Sequence, residues 1–104
     1  MLKSATTTDL LHNPTPGAIL LEEFLKPLGM SQTTLASACG LPPRRINEIV
    51  PGKRPVTADT DLRLTRYWGL RAGYSLELQA DHDLMEQPRK IGSALEMITP
   101  RAAA

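Results

Sequence analysis

Residues 31–50 read SQTTLASACGLPPRRINEIV, with the spacing of a helix-turn-helix: Gln32 opens a first helix, Ala36 sits where a partner helix crosses, Gly40 makes the turn, and Ile46 and Ile49 anchor a second helix. The crossing needs a small side chain, and the turn needs a residue that adopts a left-handed backbone cheaply. Ser31 is a good N-cap for a helix over Gln32–Cys39 that carries Leu35, Ala36 and Cys39 on one face. Pro42-Pro43 locks the entry to a helix from about Pro43 to Val50, because proline is tolerated in a first turn. Pro51-Gly52 stops it.

The second helix of such a motif enters the major groove of DNA by its first turn. Arg44 and Arg45 stand there, and arginine makes two parallel hydrogen bonds to guanine. Neighbours on a helix diverge by about 100°, so one of the pair reads bases and the other grips phosphate or an acidic neighbour. Asn47 shares the face of Arg44, where its amide suits adenine. Glu48, four residues beyond Arg44, can hold it in an ion pair. Gln32, with Thr33 and Thr34 beside it, opens a helix whose amide end suits phosphate. Lys53 and Arg54, in the loop Pro51-Gly52-Lys53-Arg54-Pro55, can lie along a phosphate strand. The candidate DNA-binding set is therefore Gln32, Thr33, Thr34, Pro43, Arg44, Arg45, Asn47, Glu48, Lys53 and Arg54. A merely solvated charged face is the alternative. Arg63, Arg66 and Arg71 are unassigned.

On the amino-terminal side, Thr15 caps a helix opened by Pro16, with Ile19, Leu20, Phe24, Leu25 and Leu28 at helical spacing and Gly29 at its end. Residues 1–14, rich in Ser, Thr, Asn and Pro, read as a flexible arm. On the other side, Thr57 caps a fourth helix with Leu62, Leu64, Tyr67 and Trp68 as its core side. Asp59 and Asp61 favour its positive end, and Gly69 terminates it. The stretch from Tyr74 to Leu84 fits both strand and helix periods, and its length favours a fifth helix. Pro88 is expected to end it. Ile91, Leu95 and Ile98 can form a short final helix in a tail over 87–104, leaving residues 15–86 as the domain.

A chain of 104 residues, 41% hydrophobic and 22% charged, has the size of one small domain. Its net charge of +1 is unevenly spread: residues 42–71 hold seven basic and three acidic side chains, whereas 72–104 hold three and five. The basic excess falls on and after the second helix of the motif. Cys39 is the only cysteine, which excludes an intramolecular disulfide and leaves a reducing cytoplasm as the expected compartment. Neither an export signal nor a membrane span is legible. Cys39 reads as an inert thiol, His12 and His82 lack ligand partners, and Asp81-His82-Asp83 diverge on a helix, so neither a metal nor a cofactor is expected. No phosphate-binding loop or nucleophile motif is present, and an enzyme is not expected.

From Thr15 to Gln79 the chain resembles the HigA family of antitoxins, a branch of the phage-repressor-like helix-turn-helix proteins. The resemblance rests on Pro16-Gly17, Ile19-Leu20, Glu23-Phe24-Leu25, Pro27-Leu28-Gly29, Ser31-Gln32, Leu35-Ala36, Pro42 through Ile49, Gly52-Lys53-Arg54, Thr57-Ala58-Asp59-Thr60 and Leu78-Gln79. It implies a dimeric, non-enzymatic antitoxin that binds a palindrome in its own promoter, represses its operon and neutralises a HigB-like toxin that cleaves mRNA. This places it in the bacterial cytoplasm, on the nucleoid when bound. The chain departs from the family at Tyr74-Ser75, where an aromatic pair is usual, and at Val50-Pro51. A stand-alone repressor without a toxin, or a protein-binding module, is the rival reading.

The expected architecture is all-α: a five-helix phage-repressor-like domain, dimeric through Tyr74, Leu76, Leu78 and Leu84, whose apolar surface exceeds the needs of a small core. Two-fold symmetry then places half-sites about 10 base pairs apart, or a multiple of that.

Overall fold

The computed structural model describes residues 12–102, and the first eleven residues of the expected arm lie outside this range. Among the described residues the chain is all-helical, with five helices and no strand. Helix α1 covers residues 16–28, α2 is Gln32–Cys39, α3 is Pro43–Ile49, α4 is Ala58–Trp68 and α5 is Tyr74–Glu96. The caps follow the sequence. Oγ of Thr15, Ser31 and Thr57 each accepts a first-turn backbone N–H, and Gly29, Gly40 and Gly69 close helices in the left-handed region.

Helix α1 is not uniform. Its middle, Leu20–Leu25, is a π-helix between the α-helical turns Pro16–Ile19 and Lys26–Leu28, and Lys26 N donates to Leu21 O, five residues back. Pro27 follows at once. It has no N–H to give Glu23 O, and its ring crowds that carbonyl, so the turn widens. The wider turn directs Leu20 and Leu25 to the same side, and both are buried.

Leu20, Leu25, Leu35, Ala36, Cys39, Leu41, Ile46 and Leu64 form the core, with Phe24 and Trp68 packed against it at a ring-centroid distance of 5.0 Å. The fourth helix corrects the sequence reading. Leu62 (56%) and Tyr67 (40%) are exposed, and the inner stripe is Thr60, Asp61, Leu64 and Thr65. Leu28 is exposed too. The tail is also corrected: α5 runs through Pro88 to Glu96, and the helical backbone breaks at Ile91 (φ −116°, ψ 16°), three residues beyond the proline. Pro88 removes one hydrogen bond, which exposed backbone recovers from water, and the chain resumes its helix after the irregular residue.

The segment before α1 lies on α5. Asn13 Nδ2 donates to His82 O (2.8 Å) and Glu86 Oε2 (2.9 Å), and Pro14 O lies 3.2 Å from His82 Nδ1. No helix among the described residues is long and apolar enough to cross a membrane.

Candidate nucleic-acid interface

Backbone contacts set the pose of α3. Gly40 (φ 68°) turns the chain after α2, and Leu41 N donates to Ala36 O at 2.9 Å. Ala36 and Ile46 are fully buried where the two helices cross. At the other end of α3, Gly17 of α1 lies so close that a Cβ there would sit 1.8 Å from Ile49 O.

The outer face of α3 carries the predicted cations, already engaged by acids. The Arg44 side chain is 83% exposed, and its Nε donates to Glu48 Oε2 at 2.9 Å. Arg54, from the loop after α3, donates from Nε to Glu48 Oε1 at 2.8 Å. Glu48 O also accepts Lys53 N (2.8 Å) and Arg54 N (3.1 Å), so this residue ties the loop to the helix through main chain and side chain together. Arg45 turns away: its side chain is 28% exposed and Nη1 donates to Asp59 Oδ2 (3.1 Å) and Thr60 Oγ1 (3.3 Å) of α4. Both arginines of the pair therefore have an acidic neighbour, Glu48 for Arg44 and Asp59 for Arg45.

Asp59 also accepts Arg63 Nε, at 3.2 Å to each oxygen, while Arg63 Nη1 donates to Cys39 O and Gly40 O at 3.0 Å. Arg63, unassigned from sequence, therefore caps the C-terminus of α2. Hydrogen bonds from Arg44 and then Arg54 hold the Glu48 carboxyl below its usual range, and those from Arg63 and then Arg45 do the same for Asp59. Depressed carboxyl pKa values mean that both sets of pairs are intact above the ordinary carboxylate range and are lost as pH falls through the lowered values.

Asn47 is exposed on the same face, and its Nδ2 donates to Gln32 Oε1 at 2.8 Å, joining the first turn of α2 to α3. Thr33 and Pro43 are exposed, while Thr34 is engaged in the cap, its Oγ1 accepting from Ser31 Oγ at 2.9 Å. Lys53 is exposed and makes no ion pair among the described residues. Chemically, the face offers guanidinium, ammonium and amide donors to an anionic partner with hydrogen-bonding edges.

Of the candidate dimer residues, Tyr74 packs edge-on against Phe24 at 6.5 Å, Leu76 and Leu78 are half-buried within the chain, and Leu84 is 72% exposed. Asp61 has a role that the sequence reading missed. It is 1% exposed and, instead of serving its own helix, accepts Gly73 N (2.7 Å), Ser75 N (2.8 Å) and Leu76 N (3.2 Å) at the start of α5. Burial pushes the Cys39 thiol up and keeps it protonated. Among the described residues no cluster of His, Cys, Asp and Glu could hold a metal ion.

A buried crossing of Ala36 and Ile46 after the Gly40 turn, with α3 presented outward, defines a helix-turn-helix protein of the phage-repressor type. No protein-family model matches the chain. It is 54% identical over 69 residues to virulence-associated protein I of Dichelobacter nodosus, covering 66% of this chain and 64% of that relative, so it spans just under two thirds of that protein's length. Among solved structures, an addiction module antidote protein of the HigA family from Coxiella burnetii is 35% identical, with a TM-score of 0.81 over 86% of this chain and 99% of that one. The Pseudomonas aeruginosa antitoxin HigA, solved with the higBA promoter, is 29% identical, with a TM-score of 0.81 over 88% of this chain and all of that one. The chain belongs to the HigA family of antitoxins.

Proposed function

We propose that this protein is a DNA-binding antitoxin: a homodimer that recognises a palindrome in its own promoter, represses the operon and neutralises a HigB-like mRNA-cleaving toxin. The observation that carries the DNA reading is the first turn of α3, where Arg44 stands 83% exposed with exposed Asn47 beside it, flanked by exposed Lys53. A HigA relative solved with the higBA promoter supports DNA as the partner. Leu84 and the exposed apolar residues beyond it on α5, Ile91 and Leu95, offer a surface for a second copy, and a two-fold pair of α3 helices requires a two-fold site. Here Arg44 and Asn47 read base edges, Lys53 and Arg54 grip phosphate, and Gln32 steadies Asn47.

Selection from a random duplex pool tests this. The recovered sequence is expected to be palindromic, with half-site centres separated by about 10 base pairs or a multiple. On that duplex Arg44→Ala is expected to weaken binding roughly 10- to 100-fold while changing binding to a shuffled duplex little, and Lys53→Ala to weaken both alike. Equal losses on both duplexes for Arg44→Ala would remove it from base reading. The toxin half is tested by growth: co-expression with a HigB-like mRNA-cleaving toxin is expected to restore it, and failure to rescue, with no copurifying complex, overturns that half.

A further inference from the structure

Two carboxylates on this face hold four arginines. Glu48 bridges Arg44 and Arg54, and Asp59 bridges Arg45 and Arg63. Each bridge joins two elements, α3 to its loop in the first and α3 to α4 in the second, and Arg63 extends the second to the turn through Cys39 O and Gly40 O. A guanidinium has five N–H donors. Arg44 spends its Nε on Glu48, and Arg54 its Nε and one Nη2 hydrogen. The remaining donors therefore point in directions that the carboxylate fixes.

Resting on the DNA-binding reading above, we infer that Glu48 and Asp59 are positioning residues that set sequence selectivity, by making the arginines available to DNA only in the pose their bridges impose. On a matching duplex the outward donors of Arg44 and Arg54 reach base edges and phosphates with both bridges intact. A mismatched duplex offers partners elsewhere, and an arginine must abandon its carboxylate to reach them. Featureless DNA, which attracts cations almost regardless of direction, is thereby disfavoured more than the cognate site. The carboxylates also lower the local positive potential that draws any duplex.

Glu48→Gln and Asp59→Asn keep the shape and remove the charge. Binding is measured by fluorescence anisotropy at several salt concentrations, on the duplex recovered by selection and on its shuffled version, with thermal melts to confirm folding. Glu48→Gln is expected to lower the ratio of selected to shuffled affinity roughly five- to tenfold, mainly through tighter binding of the shuffled duplex, with a salt slope on that duplex steeper by about one. Asp59→Asn is expected to shift the ratio in the same direction. Equal gains on both duplexes would show that the carboxylates act only as repulsive charges and would overturn the inference, as would no change on either. Wild-type protein that binds neither duplex at low salt would instead remove the DNA reading itself, and this inference with it.

Discussion

Asp61→Ala is expected to lower the free energy of unfolding by about 4 kcal/mol, because three backbone N–H groups at the start of α5 lose a charged acceptor at once. The chain offers no local substitute. Position 73, which precedes the helix, is a glycine at φ 97° with no side chain to cap it. Asp61 is 1% exposed, so water does not reach the vacated site freely. The carboxylate also sits at the positive end of α5, where its charge adds to the hydrogen bonds. For a domain of this size the loss corresponds to a melting temperature lower by about 20 °C. Asp61→Asn keeps one acceptor oxygen and is expected to lose about half as much. Chemical denaturation checks both, and a change below about 1 kcal/mol for Asp61→Ala would show that α5 is held by other contacts.

Gly17→Ala is expected to cost about 3 kcal/mol even though alanine favours a helix over glycine by about 1 kcal/mol. The added Cβ would fall 1.8 Å from Ile49 O, 2.6 Å from Ile49 C and 2.8 Å from Val50 Cα. All three are backbone atoms, so no side chain can step aside and α1 must lift off the end of α3. The folded remainder should also bind selected DNA more weakly, since α3 loses the contact that sets its tilt. A variant as stable as the parent would mean that the two helices separate at no cost.

The sequence reading succeeded where single residues have a single physical use. Thr15, Ser31 and Thr57 cap helices, Gly40 suits the left-handed turn, and Ala36 suits the crossing, so the motif is legible in the residues themselves. It failed where polarity and burial part company. In α4 the inner stripe Thr60, Asp61, Leu64, Thr65 is largely polar, and apolar Leu62 and Tyr67 drew the inferred core side toward solvent. A buried aspartate serving the next helix leaves no local pattern, because its partners lie 12 to 15 residues ahead. The arginine face was legible as residues but not as pairings. Arg44 with Glu48 follows from helical spacing, whereas Arg45 with Asp59 depends on how two helices cross.

The π segment of α1 carries one residue more than an ordinary helix would need to bring Leu20 and Leu25 to one side. With a single exposed position such as Glu22 deleted, the two leucines would stand four apart, the interval at which an α-helix returns to the same side. The wider turn thus absorbs one extra residue between two anchors of the same core face.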